Sequence, residues 1–118
     1  MLPPVKPMRE PTFLILTALA DAPRHGYGIL QEVNALSGGR VSLLTGTLYT
    51  ALDRLCAEGL VEPDHEELVD GRARRYYRLT SPGLTALTAE TARLRDLATA
   101  AEARLRTPNP ATPKPRPA

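Results

Sequence analysis

The stretch TGTLYTALDRLCAEGLVEPDHEELVDGRARRYYRL, residues 45–79, decides the fold. Leu48, Leu52 and Leu55 recur at i, i+4 and i+7 behind a cap-competent Thr45, and Gly59 closes the segment, so a helix is predicted over Thr45–Glu58. At 100° per residue its opposite side carries Gly46, Thr50, Asp53 and Ala57, flanked by Thr47 and Arg54. One side is core and the other is small and polar. The period then changes from 3.6 to 2. Residues 60–68 and 73–79 flank Asp70-Gly71, the dipeptide favoured where a two-residue hairpin turn needs positive φ. Pro63 lacks a backbone donor, so the first strand is an edge or is bulged there.

Outward from this stretch, the chain reads as more helix. Phe13, Leu16, Leu19 and Ala20 have helical spacing after Pro11, which predicts a helix over about 11–21, ended by Asp21-Ala22-Pro23. A second helix is predicted over about 25–36, with Tyr27, Leu30, Val33 and Leu36 on one face and Ser37-Gly38-Gly39 as its stop. Beyond the hairpin, Thr80-Ser81-Pro82-Gly83 caps a long helix to Arg106. Leu84, Leu87, Thr91, Leu94, Ala98, Ala101 and Leu105 alternate three and four along it, a heptad seam that seeks another helix. The fold class is therefore mainly α with a small β-hairpin: a winged helix-turn-helix over 11–80 and a C-terminal dimerisation helix over 81–106. Proline-rich segments at 1–10 and 107–118 read as flexible tails, because neither can bury enough surface to offset its ordering entropy.

Composition narrows the function. With 118 residues there is room for one domain. A single cysteine, Cys56, rules out an intrachain disulfide and fits a reducing cytoplasm. The longest apolar run, residues 13–20, is too short to span a bilayer, and the prolines of the first residues spoil a signal-peptide h-region. Two distant histidines, no paired catalytic carboxylates and no phosphate-cradling glycine loop argue against an enzyme, and no cofactor or metal is called for. The net charge of +2 conceals a sharp division. Residues 60–70 hold Glu62, Asp64, Glu66, Glu67 and Asp70, whereas 71–79 hold Arg72, Arg74, Arg75 and Arg78. A local basic patch is what phosphate contact needs.

In a winged helix the third helix enters the major groove and the hairpin touches the neighbouring backbone. Thr45 and Thr47 hydroxyls, with backbone N–H groups around Gly46, are positioned to donate to phosphate, and Thr47 and Thr50 to set sequence preference. Arg54 is a candidate for a guanine edge or a phosphate. Arg72 and Arg74 project from one face of their strand and Arg75 from the other. Tyr49 lies at the margin of the leucine stripe, suited either to the core edge or to a phosphate through its hydroxyl. The other notable side chains read as structural. His25 begins a helix and suits a cap; Cys56 is a small hydrophobe at the core edge; and strand alternation keeps Asp64, His65, Glu66 and Glu67 from converging on one ion. Some cross-strand pairing of the arginines with the acidic strand is expected.

These residues resemble a known family. His25-Gly26-Tyr27-Gly28, Thr45-Gly46-Thr47-Leu48-Tyr49 with Leu52 and Leu55, Glu58-Gly59-Leu60-Val61, and Gly71-Arg72 through Tyr76-Tyr77-Arg78-Leu79-Thr80 with Gly83 are similar in order and spacing to the PadR family of bacterial transcriptional regulators. The resemblance covers about residues 12–106 and points to the smaller subfamily with a single C-terminal helix. It implies a homodimeric repressor that binds an inverted-repeat operator in double-stranded DNA and is released by a small molecule or a stress signal. The dimer interface is expected on Phe13, Leu84, Leu87, Leu94, Ala98, Ala101 and Leu105. Thr50 and Asp53 depart from the family's more basic pattern, and Asp53 repels phosphate unless Arg54 neutralises it or a cytosine amino group donates to it. The alternative reading is a winged helix turned into a protein-interaction or ligand-binding module.

Overall fold

The computed structural model describes residues 7–107; most of both proline-rich tails lies outside the described residues. α1 (Glu10–Ala18) starts with Pro11 in its first turn and buries Thr12, Leu14, Ile15, Leu16 and Ala18. A helix apolar on almost every side is buried among other elements, and α1 packs against α2 and α4 and supplies Leu14, Ile15, Leu16 and Ala18 to the core. It ends earlier than its sequence predicts, and Ala20 is exposed. The Arg24 side chain stabilises that end, its Nε donating to the Ala18 carbonyl at 2.7 Å. Before the helix, Met8 packs on the core and its backbone N–H donates to Glu90 at 3.2 Å.

β1 is only Arg24–His25, followed at once by α2 (Gly26–Leu36). His25 is the N-cap, accepting from the Gly28 N–H on Nδ1 at 3.1 Å, as its position in the sequence implies. The buried face of α2 is Gly26, Ile29 and Val33. This corrects the expected face: Tyr27 is 67% exposed and Leu36 48% exposed. The physical reason lies at Gly26, whose missing side chain lets a neighbouring helix approach and turns Tyr27 outward.

α3 (Thr45–Ala57) buries Leu48, Leu52 and Leu55 completely, as the stripe predicts. Thr45 is not its cap. Leu44 occupies that position and offers no side-chain acceptor to the first turn.

β2 (Val61–Val69) and β3 (Arg72–Leu79) form the hairpin, with positive φ at both Asp70 (51°) and Gly71 (75°). The pairing shifts between Pro63 and Glu66, a bulge where Pro63 interrupts the ladder. The sheet has a third strand that the sequence does not announce, for β1 pairs antiparallel with β3 through Arg24 opposite Tyr77 and His25 opposite Tyr76. Two residues are too few to display a period.

α4 (Ser81–Arg106) is capped as predicted: Thr80 Oγ1 accepts from the Gly83 N–H at 3.0 Å and donates to the Gly59 carbonyl at 2.6 Å. A β-carbon on Gly83 would collide with the Leu60 carbonyl, so only glycine allows α4 to start this close to the end of α3. Leu87 joins the core of its own chain. Glu90, 1% exposed, is satisfied by Arg93 in a two-point pair at 2.7 Å, which together with the Met8 N–H holds its carboxyl below the usual range. From Leu94 onward α4 leaves Leu94, Leu97, Ala98, Ala101 and Leu105 uncovered by the rest of the chain. No helix among the described residues is long and apolar enough to cross a membrane.

Candidate nucleic-acid interface

Burial of the leucine stripe fixes the rotation of α3, so Gly46, Thr47, Thr50 and Asp53 all face out. Its first turn has no side-chain cap, so the backbone N–H groups of Thr45, Gly46 and Thr47 have no side-chain acceptor at the cap position. A helix end of this kind attracts anions.

Beside α3 runs a cleft of about 570 Å³. One wall is Gly26, Tyr27 and Tyr49; the other is the hairpin tip with Asp70, Arg72 and Arg74. Tyr49 packs its ring and hydroxyl over Gly26, and the side chain is still 43% exposed beside the cleft. Tyr27, which the sequence places in the core, instead stands at the cleft edge. Gly26 was the available signal, because a glycine in the first turn of a helix leaves the neighbouring position free to turn outward.

Cross-strand pairing sorts the four arginines. Arg78 is held by Glu62 at 2.7 Å and Asp64 at 3.6 Å, and Arg75 by Glu66 at 3.4 Å. Arg72 and Arg74 make no ion pair among the described residues, although Arg74 is opposite Glu67 in the ladder. Glu67 is engaged elsewhere: it accepts from the Tyr76 hydroxyl at 3.0 Å and lies 3.3 Å from His65 Nε2. The hairpin therefore carries two arginines without an ion pair toward its tip, Arg72 and Arg74, and two held by carboxylates, Arg75 in mid-strand and Arg78 toward the base.

His65 also corrects the expectation of strict alternation. The bulge at Asp64 and His65 breaks it, so the imidazole reaches both Asp64 and Glu67 and stacks on Tyr76 with ring centres 4.3 Å apart. Hydrogen bonding to Asp64, then to Glu67, pushes the His65 pKa up. On the other side of Tyr76, His25 sits edge-on at 5.2 Å, and burial together with the Arg74 charge pushes its pKa down. Two histidines flanking one ring are thus driven in opposite directions. Glu66 points instead to Arg75, and no group of three or more His, Cys, Asp or Glu among the described residues is arranged to hold a metal ion. Cys56 is half-buried, and burial raises its thiol pKa.

Arg54 does not turn to Asp53. It pairs with Glu58 at 3.0 Å, one turn along α3, and donates to Thr12 Oγ1 at 2.8 Å, tying α3 to α1. Sequence reasoning missed this strut because Thr12 is 42 residues away.

The winged-helix arrangement and the motif order are those of one family, and the PadR-like family model matches residues 15–89. The chain belongs to the PadR-like family of transcriptional regulators. A transcriptional regulator of Mycobacterium tuberculosis is 46% identical over 84 residues, 71% of this chain and 75% of that protein. A PadR family regulator of Clostridium difficile shares the fold with a TM-score of 0.69 at 24% identity, covering 82% of this chain and 99% of that one. Bacillus subtilis PadR, solved in complex with operator DNA, gives a TM-score of 0.61 at 18% identity over 93% of this chain and 54% of its own. This PadR-like chain thus has the winged-helix fold of its relatives, with its own pattern of paired and unpaired charge.

Proposed function

We propose that this regulator is a sequence-specific DNA-binding repressor that acts as a homodimer on an inverted-repeat operator and is released by a small molecule or stress signal. The observation that carries the reading is the unpaired Arg72 and Arg74 facing Tyr27 and Tyr49 across a cleft that borders α3 at Tyr49. One phosphate strand lies in that cleft, while Gly46 permits close approach and Thr47 and Thr50 meet base edges. The open N–H groups at Thr45 and Gly46 and the Tyr49 hydroxyl take neighbouring phosphates. Arg54 acts on α3 through Thr12 and Glu58, and Arg75 joins the backbone contacts by exchanging Glu66 for phosphate. The operator complex of the Bacillus subtilis relative supports this use of the fold.

The exposed seam of Leu84, Leu94, Ala98, Ala101 and Leu105, with Phe13 at the edge of α1, supplies the second copy's contact surface, and Leu87 anchors the start of α4 beneath it. The reading involves no catalysis, cofactor or metal and places the protein on DNA in the cytoplasm. One observation favours a second reading: Asp53 faces out from α3 with no basic partner among the described residues, which suits a protein-interaction surface better than phosphate.

Selection of genomic fragments by the full chain, followed by titration at several salt concentrations, tests the proposal. A pseudo-palindromic fragment bound by two chains with steeply salt-dependent affinity is expected. An asymmetric site bound by one chain would overturn the dimer. Binding insensitive to salt would favour the interaction-module reading.

A further inference from the structure

We infer that His65 is a positioning residue of the hairpin: its charged ring holds Glu67 away from Arg74, and loss of one proton from His65 returns Glu67 to Arg74 and weakens the hold on DNA. The consequence for DNA rests on the phosphate-binding role proposed above for Arg74; the exchange of partners by Glu67 does not. The geometry begins at the bulge. The slip of the ladder between Pro63 and Glu66 brings the His65 ring over Tyr76, with centres 4.3 Å and planes 14° apart, and within reach of Glu67. Glu67 divides its two oxygens. Oε2 accepts from the Tyr76 hydroxyl at 3.0 Å, and Oε1 lies 3.3 Å from His65 Nε2. Arg74, exposed and directly opposite Glu67 in the register, is left without an ion pair among the described residues.

The proton count makes this arrangement conditional. A charged imidazole has two N–H groups and donates to Asp64 through Nδ1 and to Glu67 through Nε2. A neutral ring has one N–H and no charge, so it cannot serve both carboxylates. Asp64 keeps a second cation, Arg78 at 3.6 Å. Glu67 has no ion pair except that with His65 among the described residues, and the cation opposite it in the ladder is Arg74. With Oε1 released and Oε2 still tethered by Tyr76, Glu67 turns to Arg74.

The groups that face His65 are Asp64 and Glu67 from β2, Tyr76 from β3 with Arg78 behind Asp64, and His25 from β1 on the far side of Tyr76. The two carboxylates dominate. Their hydrogen bonds move the titration of His65 upward from 6.5, whereas burial and Arg74 move that of His25 downward. Above pH 6.5, therefore, His65 changes charge while His25 is already mostly neutral.

Anisotropy of a labelled duplex titrated with the full chain from pH 6.5 to 9 tests the inference, and a mixed sequence suffices because phosphate contacts carry no base information. Affinity should fall about threefold for each hairpin, the scale of one exposed ion pair, and about tenfold for two on one duplex. His65→Ala should bind at every pH as the parent does at pH 9, and His65→Lys, which keeps its charge, should retain the acid-side affinity throughout. Glu67→Gln has no carboxylate to offer Arg74, so its affinity should stay high and level. A pH response that survives in Glu67→Gln would mean that the His65 charge touches phosphate itself, and would overturn the positioning role. In the protein without DNA, the Arg74 Cζ resonance should shift as His65 titrates, and should not do so in Glu67→Gln. A protein that shows this shift but binds no duplex overturns the DNA reading and leaves the exchange standing. One that binds duplex while Arg74 stays unshifted overturns the exchange.

Discussion

The hydroxyl of Tyr49 occupies the space that a side chain on Gly26 would need: a β-carbon built there lies 2.5 Å from the oxygen and 2.9 Å from the ring carbon that bears it. This contact joins α2 to α3 and sets the wall of the cleft opposite Arg72 and Arg74. Gly26→Ala must push Tyr49 aside, and because the clash falls on the outer end of a 43% exposed side chain the cost is at the low end of overpacking, about 1 kcal/mol. Chemical denaturation should show that loss in Gly26→Ala and its recovery, in large part, in Gly26→Ala combined with Tyr49→Ala. Equal losses in the single and double variants would mean that the two residues are not in conflict.

The two classes of arginine predict two classes of mutant. Arg72→Ala with Arg74→Ala removes guanidinium groups that have no carboxylate of their own, so DNA affinity should fall for every sequence and the salt slope should flatten by roughly 0.9 for every phosphate no longer neutralised. Arg78→Ala removes a group already neutralised by Glu62 and Asp64. Its slope should stay close to the parent's. If Arg78→Ala flattened the slope as much as the tip pair, its close pairing with Glu62 and Asp64 would not be what keeps Arg78 from phosphate.

These two predictions show unequal legibility. The arginine run and the turn at Asp70-Gly71 are local features, visible because pairing across a two-residue turn is fixed by sequence separation. Which arginines stay free was not legible, since it depends on the bulge after Pro63, which moves His65 toward Glu67 and takes that carboxylate from Arg74. The stripe of α3 was equally plain, with three leucines at unambiguous spacing. That of α2 misled, because Tyr27 and Leu36 resemble core residues and Gly26 does not. β1 and the bond from Arg54 to Thr12 have no local signature at all; both exist only once distant segments are packed.

His25 makes the start of α2 sensitive to acid. Its Nδ1 accepts the Gly28 N–H, which requires that nitrogen to be unprotonated, and burial with the nearby Arg74 lowers its pKa below the ordinary 6.5. A depressed histidine contributes stability above its unfolded pKa and loses it as pH falls through the folded one. His65 has the opposite shift, its contribution being complete below about 6.5 and lost as pH rises through its raised value. Comparing the parent with His25→Asn at each pH cancels His65. Asn caps without titrating, so its stability relative to the parent should rise as pH falls from 7.5 to 5. A constant difference across that range would remove His25 from the acid response.

The far half of α4 carries the test of assembly. Leu94 is 39% exposed, Leu97 57% and Leu105 82%, whereas Leu87, two turns earlier, is buried in its own chain. Leu97 extends the expected seam, lying beside Ala98, and small Ala98 and Ala101 leave room for a second helix to come close. Each leucine contributes roughly 1.5–3 kcal/mol when fully covered, so three of them on each copy suffice to hold two helices together only if they meet along one line. A carboxylate at Leu94 sits in the middle of that line, where covering it by a second helix strips its water at a cost that the apolar contact does not offset. Leu94→Glu should therefore sediment as a monomer with an unchanged circular-dichroism spectrum and bind an operator with the affinity of a single half-site. Leu94→Ala, which only trims the contact, should remain a dimer with a higher dissociation constant. A Leu94→Glu protein that stays dimeric would move the interface away from α4, to α1 around Phe13.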